Sequence, residues 1–188
     1  MLAFIQPKPV IRPARIGEAS LVSYLRHAAL WCVDMPGRSP ETIGAFLERV
    51  PDVDAELIGS GRYTVVERGG VILGGAGWSP LPPSDRAWLF GEAEEAGLGG
   101  EDAVLVRGFF VDDEIRYATG LGLLARVEEE AARAGFRSAE IVAPIVLQDY
   151  HRAMGFRAAR RLQFSGGEET VPLVHMWKAF TATPETRA

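Results

Sequence analysis

The 188 residues are 47% hydrophobic and 24% charged, a globular balance with room for one full core and too little for two comfortable domains. A formal net charge of −5 argues against a nucleic-acid surface, which is normally basic, and no run approaches the roughly 20 apolar residues of a membrane span. The single cysteine, Cys32, excludes an internal disulfide, and the opening MLAFIQPKPVIRPAR is the reverse of a secretory signal; the expectation is one cytoplasmic domain over residues 1–188.

Val10 to Pro13 reads as a short strand leading into a helix from about Gly17 to Trp31, with Leu21, Leu25, Ala28 and Cys32 at helical spacing. Pro36 to Pro40 breaks it. A second helix opens with Ser39 as cap and Pro40 at its first position. Tyr63–Glu67 and Val71–Leu73 flank Arg68-Gly69-Gly70, a hairpin signal. The second strand runs on through Gly74-Gly75-Ala76-Gly77-Trp78, where glycines mark a bulge or a close approach of backbone to a ligand.

Leu81 to Glu101 has no periodic pattern and carries Glu92, Glu94, Glu95 and Glu101. It is either a solvated acidic loop or a rim whose field favours cationic substrates. The apolar run Ala103–Val111 has the texture of a central strand buried on both faces. Asp112 to Thr119 reads as a polar connection, and a helix from about Gly120 to Ala134 carries Leu121, Leu124, Val127 and Ala131 on one stripe. Ser138–Ala143 is a further strand, so strand, helix and strand form a crossover with parallel neighbours. A short helix near Leu147–Met154 stops at Gly155, and two extended runs, Phe156–Phe164 and Val171–Phe180, flank Ser165-Gly166-Gly167. The order is β-α-α-β-β-β-α-β-α-β-β in a mixed α/β sheet. The last residues, TATPETRA, read as a frayed tail.

The junction at Arg116-Tyr117-Ala118-Thr119 and Gly120-Leu121-Gly122 places glycines at a helix start, where free N–H groups and the helix dipole favour an anion. A GxG alone serves packing as readily as phosphate binding. A Walker-type loop fails, because Leu123-Leu124 stands where Lys and Ser or Thr are required. The site lies too late in the chain for a dinucleotide fingerprint. No spacing of the three histidines, Cys32 and carboxylates suggests zinc, so no metal is expected, and no GxSxG elbow is present.

Val106-Arg107-Gly108-Phe109-Phe110-Val111 through Gly120-Leu121-Gly122-Leu123-Leu124 resembles the central motif of the GNAT N-acetyltransferase superfamily: strand, pyrophosphate loop of Q/R-x-x-G-x-G/A type, helix. Tyr150–Phe156 resembles its F-Y-x-x-x-G-F/Y segment, Val171–Lys178 its closing strand with Met-x-Lys, and Ile11-Arg12-Pro13-Ala14 its opening strand. The matches run in order over almost the whole chain.

The resemblance implies a V-shaped opening between the two central parallel strands that holds acetyl-CoA. The pyrophosphate would sit on N–H groups of Ala118 to Gly122. The pantetheine would pair with the backbone of Phe109, Phe110 and Val111, which would also polarise the thioester carbonyl. The implied reaction is direct attack of an amine on the thioester, with a group that protonates the leaving thiolate. The family often has tyrosine there. His151 occupies that position here, with Tyr150 one residue earlier as second choice; an ordinary histidine titrates near neutrality. Glu92, Glu94 and Glu101 are the candidate bases, by loop position alone.

Tyr117 replaces the usual Gln or Arg that opens the loop, and Ala118 and Thr119 replace its basic residues. Arg116 lies one place early. The departures keep a second reading open, an acyl-CoA-binding or sensor module without catalysis. The partners implied are a small-molecule amine or a peptide amino group and a second copy of the chain as a homodimer, with no nucleic acid and no membrane. The acidic loop tilts the substrate toward a polyamine, an aminoglycoside or a lysine side chain.

Overall fold

A computed structural model describes residues 7–50, 53–80, 102–112, 116–166 and 168–180, with backbone alone for 116–118. The expected frayed tail and the acidic loop with Glu92, Glu94, Glu95 and Glu101 lie outside the described residues. Within them the strands are β1 (Val10–Pro13), β2 (Tyr63–Arg68), β3 (Val71–Pro80), β4 (Ala103–Val111), β5 (Ser138–Pro144), β6 (Arg157–Gly166) and β7 (Glu169–Ala179). They form one sheet in the order β1-β2-β3-β4-β5-β7-β6. Only β4 and β5 are parallel; the other neighbours are antiparallel. The helices are α1 (Ala19–Trp31), α2 (Pro40–Arg49), α3 (Ala55–Gly59), α4 (Arg116–Arg133) and α5 (Gln148–Ala153). The mixed α/β order expected from the sequence is therefore present, with α3 added. Asp54 starts α3 by accepting a hydrogen bond from Leu57 N at 2.7 Å, and five residues are too few for a periodic signal.

Ser39 caps α2 as expected, accepting from Thr42 N at 3.2 Å with Pro40 behind it. In α1 the buried side chains are Val22 and Arg26, whereas Leu21 is half exposed and Cys32 exposed. The expected stripe is thus only partly inward: Leu25 packs against the core, Leu21, Ala28 and Cys32 are exposed, and an arginine, which periodicity scores as outward, points in. The polar connection expected over Asp112 to Thr119 is also corrected, since α4 begins at Arg116. Its inward stripe is Gly120, Leu123, Leu124, Val127 and Ala131, with Leu121 41% exposed. Leu123 rather than Leu121 thus meets the sheet.

Two cores result, one on each face. Leu123, Leu124, Val127 and Ala131 of α4 pack on Val104, Val106, Ala139 and Ile141. On the other face, Val22 packs with Tyr63, Val65 and Phe110, and α2 places Phe46 and Leu47 against Val171 and Leu173. Fully burying side chains of this size contributes about 1.5–3 kcal/mol each. The two layers of helix clamp β4 and β5 into a fixed frame.

Candidate active site

β4 and β5 pair only at Ala103–Ser138, Val104–Ala139 and Leu105–Glu140. Beyond that vertex both strands continue, β4 to Val111 and β5 to Pro144, without a ladder between them. A cavity opens in the gap, lined by Val106–Val111 on one side and Ile141–Pro144 on the other. Beyond the vertex the β5-facing edge of β4 therefore has no ladder partner in β5.

β4 is irregular at the opening. Along β3 two steps, from Gly75 to Gly77, are matched by three along β4, from Phe110 to Arg107. The extra residue makes a β-bulge, which bends and twists its strand. The bulge expected from the glycines of β3 is present, but the group that approaches those glycines is the Tyr63 ring: a Cβ on Gly75 would lie 2.5 Å from the Tyr63 hydroxyl. That hydroxyl donates to Gly108 O at 2.7 Å, fully buried. Gly108 itself has φ +61°, and a Cβ there would overlap Val53 Cγ2. Gly108→Ala is therefore expected to cost about 3 kcal/mol, from left-handed strain and overpacking together. Urea unfolding reads it; a loss under 1 kcal/mol would mean the bulge relaxes freely.

Tyr150 and His151, the two candidate proton donors, both line the cavity. Pro144 ends β5, a 3-10 turn (Ile145–Leu147) follows, and α5 carries both residues before Gly155, at φ +93°, ends the segment. Their rings contact each other at 5.5 Å between centroids, and Phe109 lies 6.1 Å from Tyr150 and 5.8 Å from His151. His151 is 2% exposed, and its Nδ1 has no hydrogen-bond partner among the described residues. Burial pushes its pKa down to about 4. It is accordingly the neutral imidazole at pH 7, and the titration near neutrality expected from the sequence is absent. The Tyr150 hydroxyl reaches α4, 2.7 Å from where a Cβ on Gly120 would stand.

The coenzyme residues named from the motif divide into two sets. Phe109, Phe110 and Val111 line the cavity. Thr119, Gly120, Leu121 and Gly122 do not, and the side chains of Arg116, Tyr117 and Ala118 are not described. With α4 starting at Arg116, Gly120 and Gly122 sit at its fifth and seventh positions, where N–H groups already bond carbonyls four residues back. Only the first turn, Arg116 to Thr119, retains N–H groups for an anion. Both glycines also make close contacts with other elements. Gly120 admits Tyr150 and Met154, and Gly122 admits Ile11, whose Cδ1 would lie 3.0 Å from an added Cβ.

Sequence reasoning missed two residues of the cavity wall, Arg26 of α1 and Arg107 of β4. The available signal was an arginine on the apolar side of a helix and another inside the most apolar strand. A third group is buried outside the cavity lining: His175 Nε2 lies 3.0 Å from Glu140 Oε2, both fully buried, and Arg160 Nε donates to His175 Nδ1 at 3.4 Å. These contacts tie β5, β6 and β7 together behind the vertex.

No family model and no characterised protein matches the sequence, but many solved structures match the fold. The yncA protein of Salmonella typhimurium, solved with acetyl-CoA, superposes with a TM-score of 0.60 at 17% identity, covering 96% of this chain and 99% of that one. The polyamine N-acetyltransferase of Drosophila melanogaster gives 0.63 at 14%, covering 92% and 100%. The PaiA N-acetyltransferase of Thermoplasma acidophilum, solved with coenzyme A, gives 0.62 at 12%, covering 92% and 99%. With its mixed sheet, its β4 bulge and the cleft between β4 and β5, the chain has the fold of the GCN5-related N-acetyltransferase superfamily.

Proposed function

We propose that the protein is an N-acyltransferase that moves the acetyl group of acetyl-CoA to an amine by direct attack. The observation that carries this reading is the parting of β4 and β5 after Leu105 and Glu140, with Tyr150 and His151 at the opening. The pantetheine arm would lie along β4 from Phe109 to Val111, pairing with the strand's β5-facing edge. The pyrophosphate would meet the first turn of α4, from Arg116 to Thr119, rather than the glycines. Gly120, Leu121 and Gly122 would then support that turn by packing. The backbone of the bulge would polarise the thioester carbonyl. The neutral amine attacks the carbonyl carbon, and as the tetrahedral adduct collapses the C–S bond breaks and the thiolate takes the Tyr150 hydroxyl proton; the proton lost from the acylated nitrogen passes through water to the tyrosinate, leaving the amide and the free thiol. His151 is the lesser donor, because a group with a pKa of about 4 holds no imidazolium at pH 7.

The same depressed pKa favours the second reading, a module that binds acyl-CoA without turning it over. Calorimetric titration with acetyl-CoA, followed by thiol release against a panel of amines, separates the two. Saturable one-to-one binding with amine-dependent thiol release supports the transferase. Binding without release supports the module, and no binding up to millimolar coenzyme rejects both.

A further inference from the structure

Two arginines that line the cavity point to the chemical class of the amine, an inference that rests on the transferase reading above. Arg26 is 3% exposed, on the inward face of α1, and lines the cavity beside Ala29, Leu30 and Val33. From β4 Arg107, its side chain 16% exposed, lines the same cavity immediately before the bulge. Arg107 pairs with Asp54 at 3.6 Å, but that carboxylate is 55% exposed and also caps α3. Among the described residues no Asp or Glu lines the cavity, and beyond Tyr150 and His151 the remaining wall is largely apolar, Phe46, Val50 and Leu173 included.

A guanidinium presents N–H donors in a planar fork that matches a carboxylate, and its charge attracts an anion most strongly where the surroundings are apolar. Two cations facing an apolar pocket suit a molecule with one anionic end and one apolar body. We propose that the acceptor is a free amino acid with an apolar side chain. Its carboxylate is held between Arg26 and Arg107, its side chain lies against Leu30, Val33 and Phe46, and its amine turns toward the bulge of β4.

The test needs no turnover. N-acetyl-L-leucine and N-acetyl-L-leucinamide, which differ in the carboxylate, are titrated onto the full chain by calorimetry with and without coenzyme A. The acid is expected to bind at least about tenfold more tightly than the amide, the scale of a charge-assisted hydrogen bond. Arg107→Gln should erase that difference; Arg26→Gln should do the same, and Arg107→Gln stands alone where loss of the buried Arg26 prevents folding. Equal binding of acid and amide, or binding of neither, overturns the proposal. So does an Arg107→Gln variant that keeps the preference for the acid while losing affinity for acetyl-CoA, since the cation would then serve the coenzyme phosphates. Failure of wild-type protein to bind acetyl-CoA, measured separately, would count against the transferase reading and leave the acid–amide comparison to decide this one.

Discussion

Tyr150→Phe is expected to lower kcat by about 10²- to 10⁴-fold, the range for removing a positioned proton donor, while the Kd for acetyl-CoA stays within about twofold of wild type. The ring of Tyr150 is held by packing against Phe109 and His151, and a phenylalanine preserves all of that. What it removes is the hydroxyl, which reaches the α4 turn that carries Gly120. A barrier increase confined to kcat therefore reports chemistry rather than shape. Full activity in the variant would show that the thiolate leaves without help from Tyr150. His151→Phe in parallel discriminates the second candidate: the neutral imidazole donates weakly, so a loss under about tenfold is expected there.

The second large effect concerns stability and pH. The folded protein holds His151 near a pKa of about 4, whereas the unfolded chain returns it to about 6.5. The cause is burial: its ring neighbours are Phe109, Tyr150 and Phe156, and no charged side chain stands among them. Between these two values the unfolded state binds more protons, so stability rises with pH there. The contribution is complete above pH 6.5 and falls away as pH drops toward 4, where it levels off. The full span is about 3 kcal/mol, of which about 2 kcal/mol is lost between pH 7 and pH 5. Urea unfolding of wild type and His151→Leu at the two pH values reads the difference. A wild type that loses no more than the leucine variant would show that His151 stays accessible to protons when folded.

These two residues also show how far the sequence reaches. Tyr150 and His151 were placed beside the coenzyme by the order of motifs, and the structure puts both on the cavity wall. Which of them can donate was not legible. A pKa depends on what surrounds the ring, and Phe109 comes to it from β4 and Phe156 from beyond the end of α5. The glycines teach the same lesson. Gly120 and Gly122 stood out as a phosphate signal, yet one admits Tyr150 and Met154 and the other admits Ile11. A glycine records that something comes close, without recording what.

Local chemistry determined the strands, the hairpins, the caps and the parallel crossover, because alternation, turn residues and Ser39-Pro40 act over a few residues. The chain order of those elements was enough for the fold. Tertiary packing alone decided the start of α4, the inward turn of Arg26, the parting of β4 from β5 and the seat of Tyr63 under Gly108. Each of these depends on contacts between residues far apart in the chain, and a one-dimensional pattern carries periodicity but not the identity of the group across the sheet.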